Sequence, residues 1–491
     1  MAKFSFDRMP QLQLISNEQI EEIHNRTLDI LENTGVRFKH QGALEFLESK
    51  GCAVDYEHMS VRFPKEFVEQ AIINAPEKFN LYNSHGKLIM GLGEGHSYYA
   101  PGPGASNFAQ DGEVNRFGTV ADLEQAIKIM EDTKHFSMNS GSTVPSDVPK
   151  EVSDVFILYK LIMGSQRPLL AEAWEDNNSV KRIIHLLEAV ISQKDFQEKP
   201  FAILAACPSP PMKWDGRVIE NAIDCMKFGI PVVACSSPVM GISAPVTIVG
   251  SVITHAVETL SLLTFIQLYK PGTPFLYGGI AGAVDMRTTY CSESGIEACM
   301  ATSGFASMAR YYSIPSLCFL AQSDSKETDY QAGFETAMGA MFATLSGIDI
   351  IFGAGTLDSY LASSNEKMAI DGQMLGYMNR LQDGIKVNDE TLADKLISSI
   401  GWGEKGSFME TEHTFKLFRQ EQYIPEQTII DREAYEKWKG NNENILTRTQ
   451  NYIKNINYSS PLEEQTVNRL RAAMLKIAKD QEVEEEVKAL L

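Results

Sequence analysis

From about Ser97 onward, short apolar runs alternate with helical patterns eight times, and this alternation constrains the fold more than any other feature of the chain. The runs lie near 97–108, 136–142, 168–174, 200–206, 231–237, 274–280, 314–322 and 348–354, each followed by a helical segment. Repeated βα units predict parallel strands. Eight of them favour a closed (β/α)8 TIM barrel, an α/β fold, over an open doubly wound sheet.

The flanks read differently. Ser16-x-x-Gln19 has capping-box spacing and opens a helix with the stripe Ile20, Ile23, Leu28 and Leu31, which Gly35 stops. A second helix carries Ala43, Leu44 and Leu47 to Gly51, and a third opens at Pro64 with Phe67, Val68, Ala71 and Ile72. The expected organisation is a helical N-terminal extension over 1–95, the barrel over 96–385, and a helical C-terminal extension over 386–491. The last helix carries Val467, Leu470, Met474 and Ile477 on one face. Inside the barrel, Thr119-x-x-Asp122, Ser294-x-x-Glu297 and Thr328-x-x-Gln331 are further helix-start spacings.

The chain has 491 residues, 44% hydrophobic and 22% charged, the composition of a globular protein. Its formal charge of −20 argues against nucleic acid, which needs a basic footprint, and leaves either a solvated acidic surface or one that steers a cation. Seven cysteines form no CxxC pair and no apolar leader opens the chain, so a reduced, cytoplasmic protein is expected. The stretch from Ile248 to Leu268 is interrupted by His255 and Glu258 and reads as a core helix, with no membrane partner. No HxH or HExxH spacing occurs, so no metal site is expected, and the pairs Gly93-x-Gly95 and Gly102-x-Gly104 make no dinucleotide fingerprint. Cys207, Cys235 and Cys318 read as small buried residues in preference to nucleophiles.

In such a barrel, chemistry sits where the strands end. Alternation along 168–174 puts Leu170, Glu172 and Trp174 on one face, expected to point inward because a carboxylate avoids the apolar helix layer. The same rule groups Cys318, Leu320, Gln322 and Asp324, leading into Ser323-Asp324-Ser325-Lys326. Pro101-Gly102-Pro103-Gly104 makes a rigid loop that lets backbone approach a ligand. With Tyr98, Phe108, Tyr277, Tyr330 and Phe352 added, the mouth becomes aromatic and acidic. That suits a quaternary ammonium ion, since each ring face attracts a desolvated cation by roughly 0.5–2 kcal/mol. The alternatives are core packing for each aromatic, and an internal ion pair with a barrel Arg or Lys for Glu172 and Asp324.

Glu18 to His24, Leu31-Glu32-Asn33-Thr34-Gly35-Val36 and Ala75-Pro76-Glu77-Lys78-Phe79 together resemble the opening of the trimethylamine methyltransferase family. The likeness continues through Leu81-Tyr82-Asn83, Gly102-Pro103-Gly104, Asp324-Ser325-Lys326 and Gln331-Ala332-Gly333, covering nearly the whole chain. It implies a barrel enzyme that delivers a methyl group to the cobalt of a separate corrinoid protein. Cobalamin would thus be presented by a partner, with no cofactor tightly bound to this chain. Members acting on trimethylamine carry pyrrolysine, at a position that falls in or near Ser323 to Lys326. Only standard residues occur here, with Ser325 the occupant, so the chain resembles the branch that includes betaine demethylases.

The expected catalytic residues are therefore Glu172, Asp324 and Ser325. Tyr98, Phe108, Trp174, Tyr277, Arg287, Gln322, Tyr330 and Phe352 are expected around the substrate, with Arg287, Gln322 and the amides near Ser294 as donors to a betaine carboxylate. A homo-oligomer is expected. The competing readings are a barrel lyase or hydrolase using paired carboxylates, and a non-catalytic amine-binding protein.

Overall fold

Eight parallel strands wind in chain order around one lumen. In the computed structural model, which describes residues 12–403, 406–426, 428–439 and 443–491, seven of them form one hydrogen-bonded sheet. They are β1 (Tyr98–Pro101), β3 (Leu169–Ala171), β4 (Ala202–Ala206), β5 (Val232–Ser236), β6 (Phe275–Gly279), β7 (Ser316–Cys318) and β8 (Ile350–Ala354). The remaining strand, β2 (136–139), closes the ring through single bridges, Tyr99 to Phe136 on one side and Asn139 to Leu169 on the other. Its amides do the joining: Ser137 N donates to Tyr99 O at 2.8 Å and Asn139 N to Pro168 O at 2.9 Å. The eight-unit expectation therefore holds, with each strand shorter than its apolar run.

Side-chain alternation sorts the wall. Ala100, Met138, Leu170, Ile203, Val233, Leu276, Leu317 and Ile350 fill the lumen. The intervening residues Ala171, Leu204, Ala234 and Tyr277 face the helices. The N-terminal end of the barrel is plugged by the hairpin Phe79–Tyr82 and Leu88–Leu92, whose Leu81, Met90 and Leu92 pack into the same lumenal cluster. Tyr82 N donates to Pro200 O at 2.9 Å and Gly93 N to the Asp349 carboxylate at 2.6 Å, which pins the plug to the starts of β4 and β8. With that end stoppered, the opposite end is the one left for a ligand.

The N-terminal extension is mixed, which corrects the all-helical expectation. Three short strands, Val36–Phe38, Ala53–Asp55 and Ser60–Arg62, lie between its helices. Three residues are too few to display a period of two. The Ser16 and Thr119 capping boxes form as expected. The other two starts shift: Gly295 is the N-cap where Ser294 was expected, and Asp329 caps onto Ala332 N in place of Thr328. Ser294 is drawn elsewhere, since its amide donates to Asp324 and its hydroxyl to Gln322 O.

One helix among the described residues is long and apolar enough to cross a membrane, Ile248–Tyr269, and 78% of its apolar window is buried inside the protein. It packs against the helices Asn17–Asn33, Lys65–Asn74 and Ile296–Tyr312. Glu258 within it accepts from Met212 N and Ser236 Oγ at 2.7 and 2.6 Å, so its carboxyl is matched internally. The C-terminal helix Glu464–Asp480 buries Leu470, Met474 and Ile477 against the barrel helices Ser153–Gly164 and Ser179–Glu188.

Candidate active site

Glu172 lies one residue past the end of β3, where alternation from lumenal Leu170 turns it inward. It keeps some accessible surface although protein surrounds it, as a side chain facing a lumen does. Among the described residues no lysine, arginine or histidine ion-pairs with it. Burial, reinforced by the nearby Asp154 carboxylate, pushes its pKa up to about 7. Gly104 of the glycine–proline loop stands against it. With φ at +74°, a Cβ added there would lie 3.8 Å from both Glu172 carboxyl oxygens. That loop is held in place by Gly104 N donating to Gly141 O at 2.7 Å.

A second carboxyl, Glu293, follows the short strand Cys291–Ser292 in the excursion after β6. Burial, with Asp324 beside it, pushes its pKa up to about 8. It too has no ion-pair partner among the described residues. Asp324 is the opposite case. Its carboxylate accepts from Ser292 Oγ at 2.5 Å, Ser359 Oγ at 2.6 Å, and the amides of Glu293 and Ser294 at 3.1 and 3.2 Å. Asp324 therefore ties the excursion after β6, and with it Glu293, to the end of β7. It is saturated by neutral donors, and it is not the internal ion pair that was the alternative.

Aromatic residues gather along β7 and β8 and in the turn after β8. Phe352 of β8 and Phe319 just past β7 both belong to the lumenal cluster, with ring centroids 5.5 Å apart. Tyr360 meets Phe319 edge-on at 5.9 Å, and its hydroxyl donates to Phe319 O at 2.7 Å. Tyr360 reaches this place through a strained turn. Asp358, Ser359 and Tyr360 have φ of +51°, +50° and +67°, and non-glycine residues in that region cost on the order of 1–2 kcal/mol each. Hydrogen bonds hold the turn: Asp358 N donates to Ser325 O at 2.8 Å, and Tyr290 Oη donates to Asp358 at 2.9 Å.

Several expected site residues lie elsewhere. Tyr98 is at the plugged end, where its hydroxyl accepts from Gly91 N at 3.1 Å. Tyr277 points out of the barrel, its ring 4.9 Å from that of His255. Trp174, beyond the end of β3, packs with the outer core, because the strand stops before alternation can carry it inward. Phe108 sits in a small sheet with its ring 4.5 Å from Arg116, which Asp122 already holds at 2.6 Å. Arg287 is 87% exposed and folds back on Asp285 at 2.7 Å, and Tyr330 is 97% exposed. Cys318 and Leu320 face the outer core, so the parity expected for β7 is off by one.

Ser325 is buried as a turn residue, its hydroxyl donating to Asp329 at 3.0 Å. Gln322 is fully buried with neither carboxamide atom partnered among the described residues. Of the expected residues, Glu172 and Phe352 thus share the lumen, while Asp324, Ser325 and Gln322 build its β7 edge. Glu293, Phe319 and Tyr360 were missed by sequence reasoning. Glu293 had a signal, as a carboxylate in a polar run directly before a helix. Tyr360 had none.

No group of three or more His, Cys, Asp or Glu side chains that could hold a metal ion occurs among the described residues. This end of the barrel offers two carboxyls that ion-pair with no cation among the described residues, aromatic residues along β7 and β8, and a glycine loop standing against Glu172.

The glycine betaine methyltransferase of Desulfitobacterium hafniense (strain Y51) is 29% identical over 433 residues, covering 88% of this chain and 89% of that protein. The proline betaine:corrinoid methyltransferase of Eubacterium limosum is 27% identical, covering 86% and 87%. The trimethylamine methyltransferase MttB of Methanosarcina thermophila is also 27% identical, covering 87% and 89%. Among solved structures, the monomethylamine methyltransferase (MtmB) of Methanosarcina barkeri has 12% identity and a TM-score of 0.49, covering 94% of this chain and 87% of that one. The family model described as trimethylamine methyltransferase (MTTB) matches residues 2–480, nearly the whole length, and the chain belongs to that family.

Proposed function

We propose that this chain is an enzyme that moves a methyl group from a betaine-type quaternary amine to the cobalt of a corrinoid carried by a separate protein. The observation that carries the reading is that Glu172 and Glu293 are enclosed carboxyls that ion-pair with no cation among the described residues. A protonatable amine could share their protons. A quaternary ammonium has none to share and must be met by ionised carboxylates and ring faces, the role this reading gives to Glu172, Glu293, Phe319 and Tyr360.

The corrinoid, when its carrier protein docks, supplies a reduced cobalt nucleophile. The rest falls on this chain. Its aromatic wall excludes water and its carboxylates fix the nitrogen, which is catalysis by positioning and electrostatics. When the methyl group leaves, the C–N electrons stay on nitrogen and the amine becomes neutral. Glu172 and Glu293 then lose the charge that kept them ionised and recover protons, which weakens their hold on the product. Neither step needs an internal general acid on the leaving nitrogen.

For a betaine carboxylate, Gln322 is the donor that remains. Arg287 is spent on Asp285, and the amides of Glu293 and Ser294 are spent on Asp324. A buried carboxamide without partners leaves on the order of 1–3 kcal/mol uncompensated, which a ligand carboxylate or an ordered water recovers. The lyase or hydrolase reading loses its acid–base pair, because Asp324 is saturated by four donors.

The test is a panel of methylated amines incubated with the protein and chemically reduced cobalamin, followed by methylcobalamin absorbance. Quaternary amines should yield methylcobalamin and the matching tertiary amine. Turnover without corrinoid, or binding with no demethylated product, would overturn the proposal in favour of the other two readings.

A further inference from the structure

Two thiols stand side by side in the wall of the mouth, and the methyl-transfer reading uses neither. Cys207 directly follows β4 and Cys235 lies within β5. The parallel register pairs Ala206 with Ala234, so one step further along both strands sets Cys207 beside Cys235. Alternation gives both side chains the same side: Cys235 belongs to the lumenal cluster, and Cys207 follows lumen-facing Ile203 and Ala205 at intervals of two. In-register neighbours in a sheet stand about 4.8 Å apart, within the roughly 4.4–6.8 Å Cα separation that a disulfide spans. The Cys207 thiol is close enough to Cys235 to raise its pKa.

Their exposure is unequal in a useful way. Cys207 is exposed at the mouth, whereas Cys235 is 3% exposed behind it. Nearness to Cys207 and burial hold the Cys235 thiol well above its ordinary pKa, so Cys235 stays protonated and the exposed Cys207 is the point of attack. Cys299 and Cys318 also neighbour one another, but both are sealed at 0% exposure and out of reach of an oxidant. Of the others, Cys52 and Cys225 are buried and Cys291 is partly so.

We propose that Cys207 and Cys235 form a redox-active dithiol that closes to a disulfide across the β4–β5 wall of the mouth when a disulfide-class oxidant reaches Cys207. The Cys207 thiolate attacks one sulfur of the oxidant R–S–S–R, forming Cys207–S–S–R and expelling R–S⁻, which takes up the Cys207 proton. The Cys235 thiol then attacks the Cys207 sulfur, forming the internal disulfide and expelling the second R–S⁻, which takes the Cys235 proton. Two thiols become one disulfide, and two electrons and two protons leave as two R–SH. Closure ties down the wall next to Glu172, whose carboxylate acts on the Cys235 thiol.

Bond formation does not depend on the methyl-transfer reading; only its consequence for turnover does. The folded full-length protein is incubated with oxidised glutathione, unfolded, alkylated and mapped by mass spectrometry. The expected product has five alkylated cysteines and a Cys207–Cys235 cross-linked peptide that dithiothreitol reverses; Cys207→Ser, at an exposed position, keeps the thermal midpoint and loses the cross-link. Seven alkylated cysteines, a stable glutathione adduct on Cys207 alone, or a cross-link between other cysteines would overturn the proposal. On the same samples, methyl transfer should fall at least tenfold in oxidised wild type and stay level in oxidant-treated Cys207→Ser; an equal loss in both would overturn the link to turnover. A protein that cross-links on oxidation but transfers no methyl when reduced counts against the proposed function and leaves the dithiol standing.

Discussion

Replacing Glu172 with Gln should change how stability depends on pH, by an amount the site itself fixes. The carboxyl has a reference pKa of 4.5 in the open chain and about 7 in the folded barrel. Below pH 4.5 it is protonated in both states. Between 4.5 and about 7 the unfolded chain releases the proton while the barrel keeps it, so wild-type stability falls as pH rises; above about 7 the loss is complete. The full loss is roughly 3 kcal/mol, which Glu172→Gln does not suffer. For a chain of this size it corresponds to about 3 °C in thermal midpoint. Midpoints measured by calorimetry at pH 5 and pH 8 should therefore open a gap in favour of Glu172→Gln at pH 8 that is mostly absent at pH 5. Parallel curves for the two proteins would refute the claim that Glu172 lacks a counter-ion.

Affinity for a quaternary ammonium should rise at least tenfold between pH 6 and pH 9, because Glu172 and Glu293, at about 7 and 8, must ionise to hold it; titration calorimetry reads this, and a flat profile contradicts it. Tyr277→Phe removes a buried hydroxyl with no partner among the described residues, so stability should stay level or rise by about 1 kcal/mol with ligand affinity unchanged; a loss of affinity would return Tyr277 to the site. Asp324→Ala strands two hydroxyls and two amides and should cost about 2–4 kcal/mol in chemical denaturation, and it should weaken cation binding by freeing the segment that carries Glu293. Gly104→Val forces a side chain at positive φ against the Glu172 carboxyl, so cation affinity should fall at least tenfold, and retention of affinity would mean that this loop does not border the ligand.

The barrel was legible because its repeat is long and regular; which way its residues face was legible only in places. Barrel strands are buried on both sides, so a run such as Phe275-Leu276-Tyr277-Gly278-Gly279 carries no polar residue to mark the lumen, and Tyr277 was assigned inward when it packs on His255. Glu172 could be oriented because a carboxylate is itself the marker. Tyr98 was misplaced along the axis for another reason: the run 97–108 joins two elements, β1 and the separate strand Asn107–Gln110, so Tyr98 begins a strand at the plugged end. Tyr360 depends on three successive left-handed residues that no local sequence preference favours, and it became visible only in three dimensions.

The central claim is that charge, and not shape alone, selects the ligand. Calorimetric titration of wild type and of Glu172→Gln/Glu293→Gln with glycine betaine and with its isostere 3,3-dimethylbutanoate, in which an uncharged carbon replaces the cationic nitrogen, at pH 8, tests it most directly. Wild type should bind the betaine with release of protons and the isostere at least tenfold more weakly, and the double variant should lose that preference. Equal affinity of wild type for both compounds, or an undiminished preference in the double variant, would contradict it.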